Sequence, residues 1–271
     1  MMIKNSHYLL SLNSFLAFIK NFFNLQNIIT TYMLKYYLLV KQWLAGYFFD
    51  FIQKEYKTNG NIYTIPKKMT TSFFRGAFTL GWYEKQERLY IPKYLNKSDT
   101  VLELGGCIGV ISCIINNQLE DKTKQVTVEA NPKLIQHLIV NKERNNCKFE
   151  IVNKAVSNQE QLEFNIGSSI VLGSANVETN EKVLVDGITP SQIQDKYNLK
   201  FNTLVMDIEG GELFILRDFK KFIGGLDKVL LEVHPFENIL TADEVNECED
   251  ILSSLGFKKD IDIDFFQAWI K

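Results

Sequence analysis

The stretch TVLELGGCIGV, residues 100–110, joins a short apolar run to a carboxylate, Glu103, and then to three glycines. The apolar run has the length and composition of a buried strand. Gly105, Gly106 and Gly109 remove side chains from the turn that follows, so another molecule can approach the backbone closely there. In an open α/β sheet such molecules bind at the carboxyl ends of the strands. The stretch therefore predicts a ligand-binding turn after a central strand.

The sequence after this turn alternates between strands and helices. We predict strands in QVTVEA, KFEIVNKAVS, NTLVMDIEGGE, LDKVLLEVHP and DIDFFQAWIK, with shorter strands in QLEFNI and KVLVDGI. Helices are predicted in VISCIINNQL, NPKLIQHLIVNKERNN and TADEVNECEDILSSLGF. Such alternation is typical of an α/β fold with a parallel sheet that is covered by helices on both faces.

Composition excludes several classes of function. The chain has 271 residues and a formal net charge of −2, so it carries no overall electrostatic signature of a nucleic-acid-binding protein. Its four cysteines form no CxxC pair, which argues against a zinc site or a disulfide framework and favours a reducing, cytoplasmic compartment. With only three histidines, a multi-histidine metal centre is not expected.

The N-terminal segment, residues 1–57, differs from the remainder, residues 58–271, which we take as the main domain. It is rich in aromatic and aliphatic residues, but polar residues interrupt every stretch of eighteen, so we predict amphipathic helices rather than a membrane span. One alternative is a helical cap that packs on the main domain or on a second copy of the chain. The other is peripheral attachment to a membrane surface, with Lys20, Lys35 and Lys41 facing water.

Two cofactors suit a glycine turn in such a fold. A dinucleotide needs the pattern G-x-G-x-x-G, but the first of these positions is Leu104. The spacing Glu103-x-Gly105-x-x-x-Gly109 instead follows the acid-x-Gly-x-x-x-Gly pattern of class I methyltransferases, where an acid suits the ammonium group of S-adenosylmethionine. Glu129, at the end of the second strand, is placed to accept hydrogen bonds from ribose hydroxyls of either cofactor. The pattern therefore favours S-adenosylmethionine.

The segments VLELGGCIG, VTVEANPKLIQHLIVNKERNN, LVMDIEGGELFIL and LLEVHP resemble the FkbM-type methyltransferases, from about residue 81 onward. The most specific element, MDIEGGE, is similar to the family signature Lys-x-Asp-x-Glu-Gly-x-Glu, although Val205 replaces the lysine. In the first turn Cys107 occupies the position where the family commonly has Asn. The resemblance implies a Rossmann-like methyltransferase fold: a doubly wound, seven-stranded sheet, mostly parallel, with an antiparallel last strand.

The carboxyl ends of the fourth and fifth strands carry the candidate catalytic residues Asp207, Glu209 and His234. Clustered carboxylates raise one another's pKa, and an imidazole accepts a proton near neutral pH, so each suits the removal of a proton from an alcohol. The acids could instead bind a divalent metal, which the sequence does not specifically predict. Asp207 is also expected beside the cofactor.

Two further residues are expected at the cofactor. The resemblance places the segment GWYEKQE over the cofactor as a lid, so that Glu84 would contact the methionine ammonium or the acceptor. Ala155 follows the third strand, where adenine commonly rests against small side chains.

Together these observations predict an S-adenosylmethionine-dependent O-methyltransferase. The resemblance implies that the acceptor is a hydroxyl of a sugar or glycan. Two alternatives stay open from the sequence: a nicotinamide-dependent oxidoreductase, and a non-catalytic interaction protein with a degenerate cofactor fold.

Overall fold

The computed structural model describes residues 30–166, 173–174, 182–235 and 239–271. The first part of the N-terminal segment, including Lys20, lies outside these residues. The helices are α1 (30–48), which runs into a π-helical turn (Phe49–Gln53), α2 (Ser72–Leu80), α3 (Lys85–Tyr94), α4 (Val110–Gln118), α5 (Pro132–Arg144), α6 (Pro190–Tyr197), α7 (Glu212–Asp218), α8 (Lys220–Ile223) and α9 (Ala242–Ser254). The strands are β1 (Tyr56–Thr58), β2 (Asn61–Tyr63), β3 (Val101–Leu104), β4 (Gln125–Val128), β5 (Glu150–Val152), β6 (Ala155–Val156), β7 (Gln161–Ile166), β8 (Gly173–Ser174), β9 (Lys182–Ile188), β10 (Thr203–Met206), β11 (Lys228–Glu232), β12 (Lys258–Ile263) and β13 (Phe266–Ile270).

A seven-stranded sheet in the order β12-β13-β11-β10-β3-β4-β5 forms the centre of the fold. Strands β11, β10, β3, β4 and β5 are parallel, and β13 runs antiparallel to both of its neighbours. The predicted seven-stranded sheet with an antiparallel last strand is therefore confirmed. All residues of β3, β4 and β10 are buried, as expected for central strands with helices on both faces.

The helices begin where the sequence provides caps. Asn131 accepts a hydrogen bond from the backbone of Lys133 at the start of α5, and Pro132 occupies the first turn, where its missing N–H is not needed. Thr241 and Glu244 form a reciprocal capping box at the start of α9. These caps fix where the chain leaves the sheet edge and turns back along its face.

A smaller sheet in the order β6-β9-β7-β8 extends from the carboxyl edge of the central sheet. Strands β7 and β9 pair along most of their length, with Leu162 opposite Val185 and Phe164 opposite Val183. The short strands predicted in QLEFNI and KVLVDGI are thus present. Phe164 packs against Ala155 and Ala130, so this sheet forms a wall beside the edge where ligands bind.

Aromatic side chains connect the N-terminal region to the glycine turn. The ring centroids of Phe49 and Phe78 lie 6.1 Å apart, those of Phe78 and Tyr83 lie 4.3 Å apart, and the Tyr83 hydroxyl lies 3.6 Å from the Cys107 thiol. Phe49, Phe78 and Tyr83 are all buried. These contacts therefore connect residues on both sides of the boundary predicted between residues 57 and 58. The division of the chain into an N-terminal segment and a main domain at this point stays a prediction.

Helices α1 and α2 cross at very short range. A Cβ on Gly46 would lie 2.0 Å from the Ser72 carbonyl oxygen, and one on Gly76 would lie 2.0 Å from the Gln42 carbonyl oxygen. Next to this crossing, the Arg75 guanidinium pairs with the Asp50 carboxylate at 2.6 Å. The C-terminal end of α1 is thereby held against the main domain.

The rest of α1 exposes apolar side chains around most of its circumference. Tyr36, Val40 and Trp43 are 66%, 56% and 50% exposed, and the side chains of Leu34 and Tyr37 are similarly open to solvent. None of the described helices combines the length and the apolar character that spanning a membrane requires.

Candidate active site

The glycine turn between β3 and α4 packs directly against the end of β10. A Cβ on Gly105 would lie 1.8 Å from the Asp207 carbonyl oxygen, and its φ of +93° lies in the region that favours glycine. A Cβ on Gly106 would lie 2.5 Å from Cγ2 of Thr127 in β4. Gly109 caps α4 with a φ of +87°. The glycines thus let the ends of three neighbouring strands converge.

Glu129 spans this turn from the end of β4. Its Oε2 accepts a hydrogen bond of 2.7 Å from the Cys107 amide, and its Oε1 accepts one of 2.7 Å from the Asn131 amide. Burial raises the pKa of Glu129, while the two amides lower it. Each oxygen keeps a lone pair, so the fixed carboxylate can still accept bonds from a vicinal diol.

A cleft of about 390 Å³ opens at this edge of the sheet. Glu129 and Gly105 line it on the side of the central sheet, and Ala155 and Phe164 line it on the side of the small sheet. Asp207, Glu209, Glu84 and Phe214 also line it. Its volume falls in the usual range for a small-molecule site, roughly 300–1,000 Å³.

Glu103 is turned away from this cleft. Its Oε2 accepts hydrogen bonds from the Thr127 hydroxyl at 2.6 Å and from the Gln125 amide at 3.1 Å. Burial raises the pKa of Glu103 to about 7. Gly106 and Gly109 also do not line the cleft, and their contribution is to backbone packing. Contact of Glu103 with the cofactor stays a prediction.

A void of about 20 Å³ lies beside the cleft, and five of the fourteen residues that border it are acids. The acidic residues that line it are Glu84, Glu87, Glu103, Asp207 and Glu232. Among the described residues around it there is no lysine or arginine. Burial is the main cause of the raised pKa of Glu84. It is also the main cause that raises the pKa of Glu232 to about 12.

Four acidic side chains, from the ends of two strands and the start of one helix, surround His234. The His234 Nδ1 lies 3.2 Å from Oε1 of Glu212, which is fully buried. The opposite nitrogen, Nε2, faces Asp207 at 3.5 Å, Glu209 at 3.7 Å and Glu232 at 4.0 Å. The structure thus brings the three predicted catalytic residues together.

The pKa values of His234 and Asp207 are both raised in this cluster. Burial disfavours the charged imidazole of His234, but Glu212, Asp207 and Glu209 outweigh it and raise the pKa of the histidine to about 9. Burial raises the pKa of Asp207 to about 8 against the opposing effect of His234. The cluster therefore retains protons at neutral pH, which is a property of many proton-transfer sites.

Three non-glycine residues at the cleft have positive φ angles, namely Glu84 (+43°), Cys107 (+46°) and Glu209 (+51°). Such conformations each cost on the order of 1 kcal/mol and are concentrated at functional sites. They direct the Glu84 and Glu209 side chains into a region that already contains several acids.

The sequence analysis did not identify Glu87, and it did not include Glu232 among the candidate site residues. Glu87 lies on α3, three residues after Glu84, so the two acids face the same side of the helix. That spacing was visible in the sequence, but the contact with Asp207 and Glu232 depends on how α3 packs on the sheet. Phe164 of the cleft wall was likewise unassigned, because nothing local indicates that β7 folds over the ligand edge.

This strand order, with a ligand-sized cleft at the carboxyl edge and a fixed acid after the second strand, defines a Rossmann-like methyltransferase. The family profile described as "Methyltransferase FkbM domain" matches residues 103–259. The chain therefore belongs to the FkbM methyltransferase family and is an S-adenosylmethionine-dependent methyltransferase. The oxidoreductase and non-catalytic alternatives are not retained.

Solved structures of similar fold include three methyltransferases. Precorrin-6y C5,15-methyltransferase from Geobacter metallireducens is 12% identical with a TM-score of 0.46, over 77% of this chain and 94% of that one. A methyltransferase from Pyrococcus furiosus is 13% identical with a TM-score of 0.44, over 79% and 90%. An O-methyltransferase from Bacillus cereus, in complex with SAH, is 13% identical with a TM-score of 0.37, over 63% and 73%. Among curated proteins, none matches this chain.

Replacing Glu103 by Gln tests how much the buried Glu103 carboxylate lowers the free energy of unfolding. Between its ordinary pKa of 4.5 and about 7, the folded chain retains a proton that the unfolded chain loses, so folding stability falls as the pH rises through this window. A glutamine keeps the acceptor for Thr127 and Gln125 without the charge. We expect Glu103→Gln to raise the free energy of unfolding at pH 8 by about 2 kcal/mol, with little change at pH 4.5.

Urea denaturation at the two pH values measures this difference. The matched control is Glu120→Gln, which neutralises an exposed glutamate and should change stability at neither pH. A Glu103→Gln variant that is equally stable or less stable at pH 8 would contradict the assignment.

Replacing Glu129 by Ala tests the cofactor site. Loss of two hydrogen bonds to a charged acceptor, at roughly 1.5 kcal/mol each, should weaken binding of S-adenosylmethionine about 100-fold or more. Titration calorimetry measures the affinity, and circular dichroism checks the fold. Glu143→Ala, on the exposed face of α5, is the control and should bind normally. Unchanged affinity in Glu129→Ala would remove this residue from the site.

Proposed function

We propose that this protein transfers a methyl group from S-adenosylmethionine to a hydroxyl of a sugar or glycan. The observation that carries the proposal is that Asp207 and Glu209, which both contact His234, line the same cleft as the fixed Glu129 carboxylate. A cofactor with its ribose at Glu129 would direct its reactive end toward the acidic cluster. The acceptor would then approach from the side of Asp207.

The residues present fit the cofactor. Glu129 offers two oriented oxygens to a ribose diol, and Ala155 offers a small side chain to a purine ring. Glu84 borders both the cleft and the void, and its buried Oε2 has no hydrogen-bond partner in the described part of the chain, as expected for a group that receives an ammonium. When bound, S-adenosylmethionine supplies an activated methyl group on a positively charged sulfur.

The chain contributes positioning and proton transfer. An alcohol is a poor nucleophile until its proton is removed, and a base within hydrogen-bond reach of the hydroxyl provides this. Asp207 and Glu209 line the cleft, and the one of them that is deprotonated can accept that proton, while His234 contacts both carboxylates. Fixing the acceptor in line with the methyl group supplies much of the remaining rate enhancement.

A sugar suits the part of the cleft that Asp207, Glu209 and Phe214 line, because a sugar presents both hydroxyls and apolar ring faces. Carboxylates accept hydrogen bonds from several hydroxyls at once. Phe214 lines the cleft and is 43% exposed, so its ring can pack against the apolar face of a sugar. These features favour a carbohydrate over a purely apolar acceptor.

The test is transfer of a labelled methyl group from S-adenosylmethionine to fractions of glycans, lipids and proteins. We expect the label in the carbohydrate fraction, in a form that resists mild alkali, because a methyl ether survives conditions that hydrolyse a methyl ester. Glu129→Ala should transfer no label. Label that appears only in protein or lipid, or that alkali releases, would overturn the proposal.

We further propose that α1 attaches the protein to an anionic membrane surface. Residues 30–48 contain exposed aromatic and aliphatic side chains, two exposed lysines, Lys35 and Lys41, and no acidic residue. Apolar groups that enter the lipid boundary together with lysines that pair with anionic headgroups are typical of interfacial helices. The absence of acids on this described helix favours an anionic lipid over a cationic partner.

We expect the full chain to co-sediment with vesicles that contain phosphatidylglycerol. Val40→Glu combined with Trp43→Glu places two charges on the exposed face of α1 and should reduce the bound fraction at least tenfold. The control combines Leu89→Glu with Leu184→Glu, which are equally exposed positions on the main domain and should have no effect. Failure of the unmodified chain to sediment, or a dimer that the α1 variant converts to a monomer, would overturn the proposal.

A further inference from the structure

Donor atoms around His234 have the arrangement of a cation site. Its Nε2 lies 3.5 Å from Oδ1 of Asp207 and 4.0 Å from Oε1 of Glu232. One donor atom from each of Asp207, Glu232 and His234 can be chosen so that all three lie within 4.8 Å of one another. These separations exceed a good hydrogen bond, but they match two ligands of one ion, which stand about 3 to 4 Å apart when each bond is about 2.1 Å long.

The support behind His234 is also that of a metal ligand. A metal-binding histidine usually hydrogen-bonds a carboxylate through its second nitrogen, which fixes the ring orientation. Here Nδ1 lies 3.2 Å from Oε1 of Glu212, a residue with 0% of its surface exposed. Glu212 therefore directs Nε2 toward Asp207 and Glu232. A helix-capping role alone would not place its carboxylate against the ring.

A separate observation comes from the void next to this group. Glu87 is only 5% exposed and lines the void with Asp207 and Glu232. Its Oε1 has no hydrogen-bond partner among the residues that the structure describes. Oδ1 of Asp207 is likewise buried and lacks a hydrogen bond to any of the described residues. Buried acceptors are rarely left unpaired, and two on one void indicate a missing donor or cation. The void, about 20 Å³, has room for one small ion or water.

We propose that Asp207, Glu232 and His234 bind one divalent cation, with Glu87 facing it across the void. One imidazole nitrogen with two or more carboxylate oxygens suits a first-row divalent ion such as Mn²⁺ better than Ca²⁺, which takes oxygen ligands only. The cation site stands on these contacts alone. Its role rests on the proposed function: an acceptor hydroxyl bound to the ion loses its proton more readily, and Glu209 is placed to accept that proton.

Mn²⁺ binding to the full chain without cofactor tests the site. Electron paramagnetic resonance of free Mn²⁺ during titration should reveal one bound ion per chain. We expect Glu232→Gln to weaken this binding at least 100-fold. Glu212→Gln keeps an acceptor for the Ile208 amide but alters the support of the ring, and should weaken binding about 10-fold to 100-fold. Glu143→Gln removes an exposed carboxylate from α5 and should bind like the unmodified chain.

A second measurement needs no substitution. Pulsed electron resonance of bound Mn²⁺ should detect a coordinated imidazole nitrogen, and His234 is the histidine that supplies it. Affinity of Glu232→Gln for S-adenosylmethionine checks that the variant is folded. The proposal is overturned if the unmodified chain does not bind Mn²⁺, if Glu232→Gln binds it equally well, or if no nitrogen is coordinated. Because none of these readouts involves methyl transfer, they are independent of the acceptor assay.

Discussion

The close contact between Gly105 and the backbone of Asp207 is the constraint on which the site depends. The Asp207 amide donates a hydrogen bond of 3.0 Å to the Leu104 carbonyl, so the β3–β10 pairing continues one step beyond the strands. Since no side chain fits between these backbones, Asp207 and the glycine turn form one surface. Glu129 is tied to the same turn through the Cys107 amide. Asp207 and Glu129, which both line the cleft, are thus held to the same turn, the first through its backbone and the second through its carboxylate.

Electrostatics at this edge follow from burial. Five acids border a void that no lysine or arginine among the described residues approaches, and His234 is the neighbouring group that can carry positive charge. Isolated buried carboxylates are costly, so they either hold protons or bind cations. The upward pKa shifts of Glu84, Asp207 and Glu232 express this cost. A site with such a composition is suited to a positively charged cofactor and has capacity for a metal ion as well.

The sequence predicted most of the central fold because its signals are local. Buried strands such as β3 and β10, the glycine turn and the Pro132 helix start are each encoded within a few residues. The joint placement of Asp207, Glu209 and His234 also followed, since the carboxyl ends of adjacent parallel strands must meet. The direction of individual side chains was harder to predict. The Glu103 side chain is directed toward Thr127 and Gln125, and no local sequence pattern distinguishes that face of the strand from the face toward the cleft. Glu87 required knowledge of how α3 packs, which is a long-range property.

The aromatic series from Phe49 through Phe78 and Tyr83 to Cys107 joins the end of α1 to the cofactor turn without an intervening flexible link. Together with the glycine crossing of α1 and α2, it packs the C-terminal end of α1 against the elements that form the cleft. The surface to which α1 attaches therefore also determines the direction in which the cleft opens. If α1 lies on a membrane surface, as proposed, an acceptor would also have to reach the cleft at the height and angle that this attachment allows, a requirement separate from the chemical fit inside the pocket.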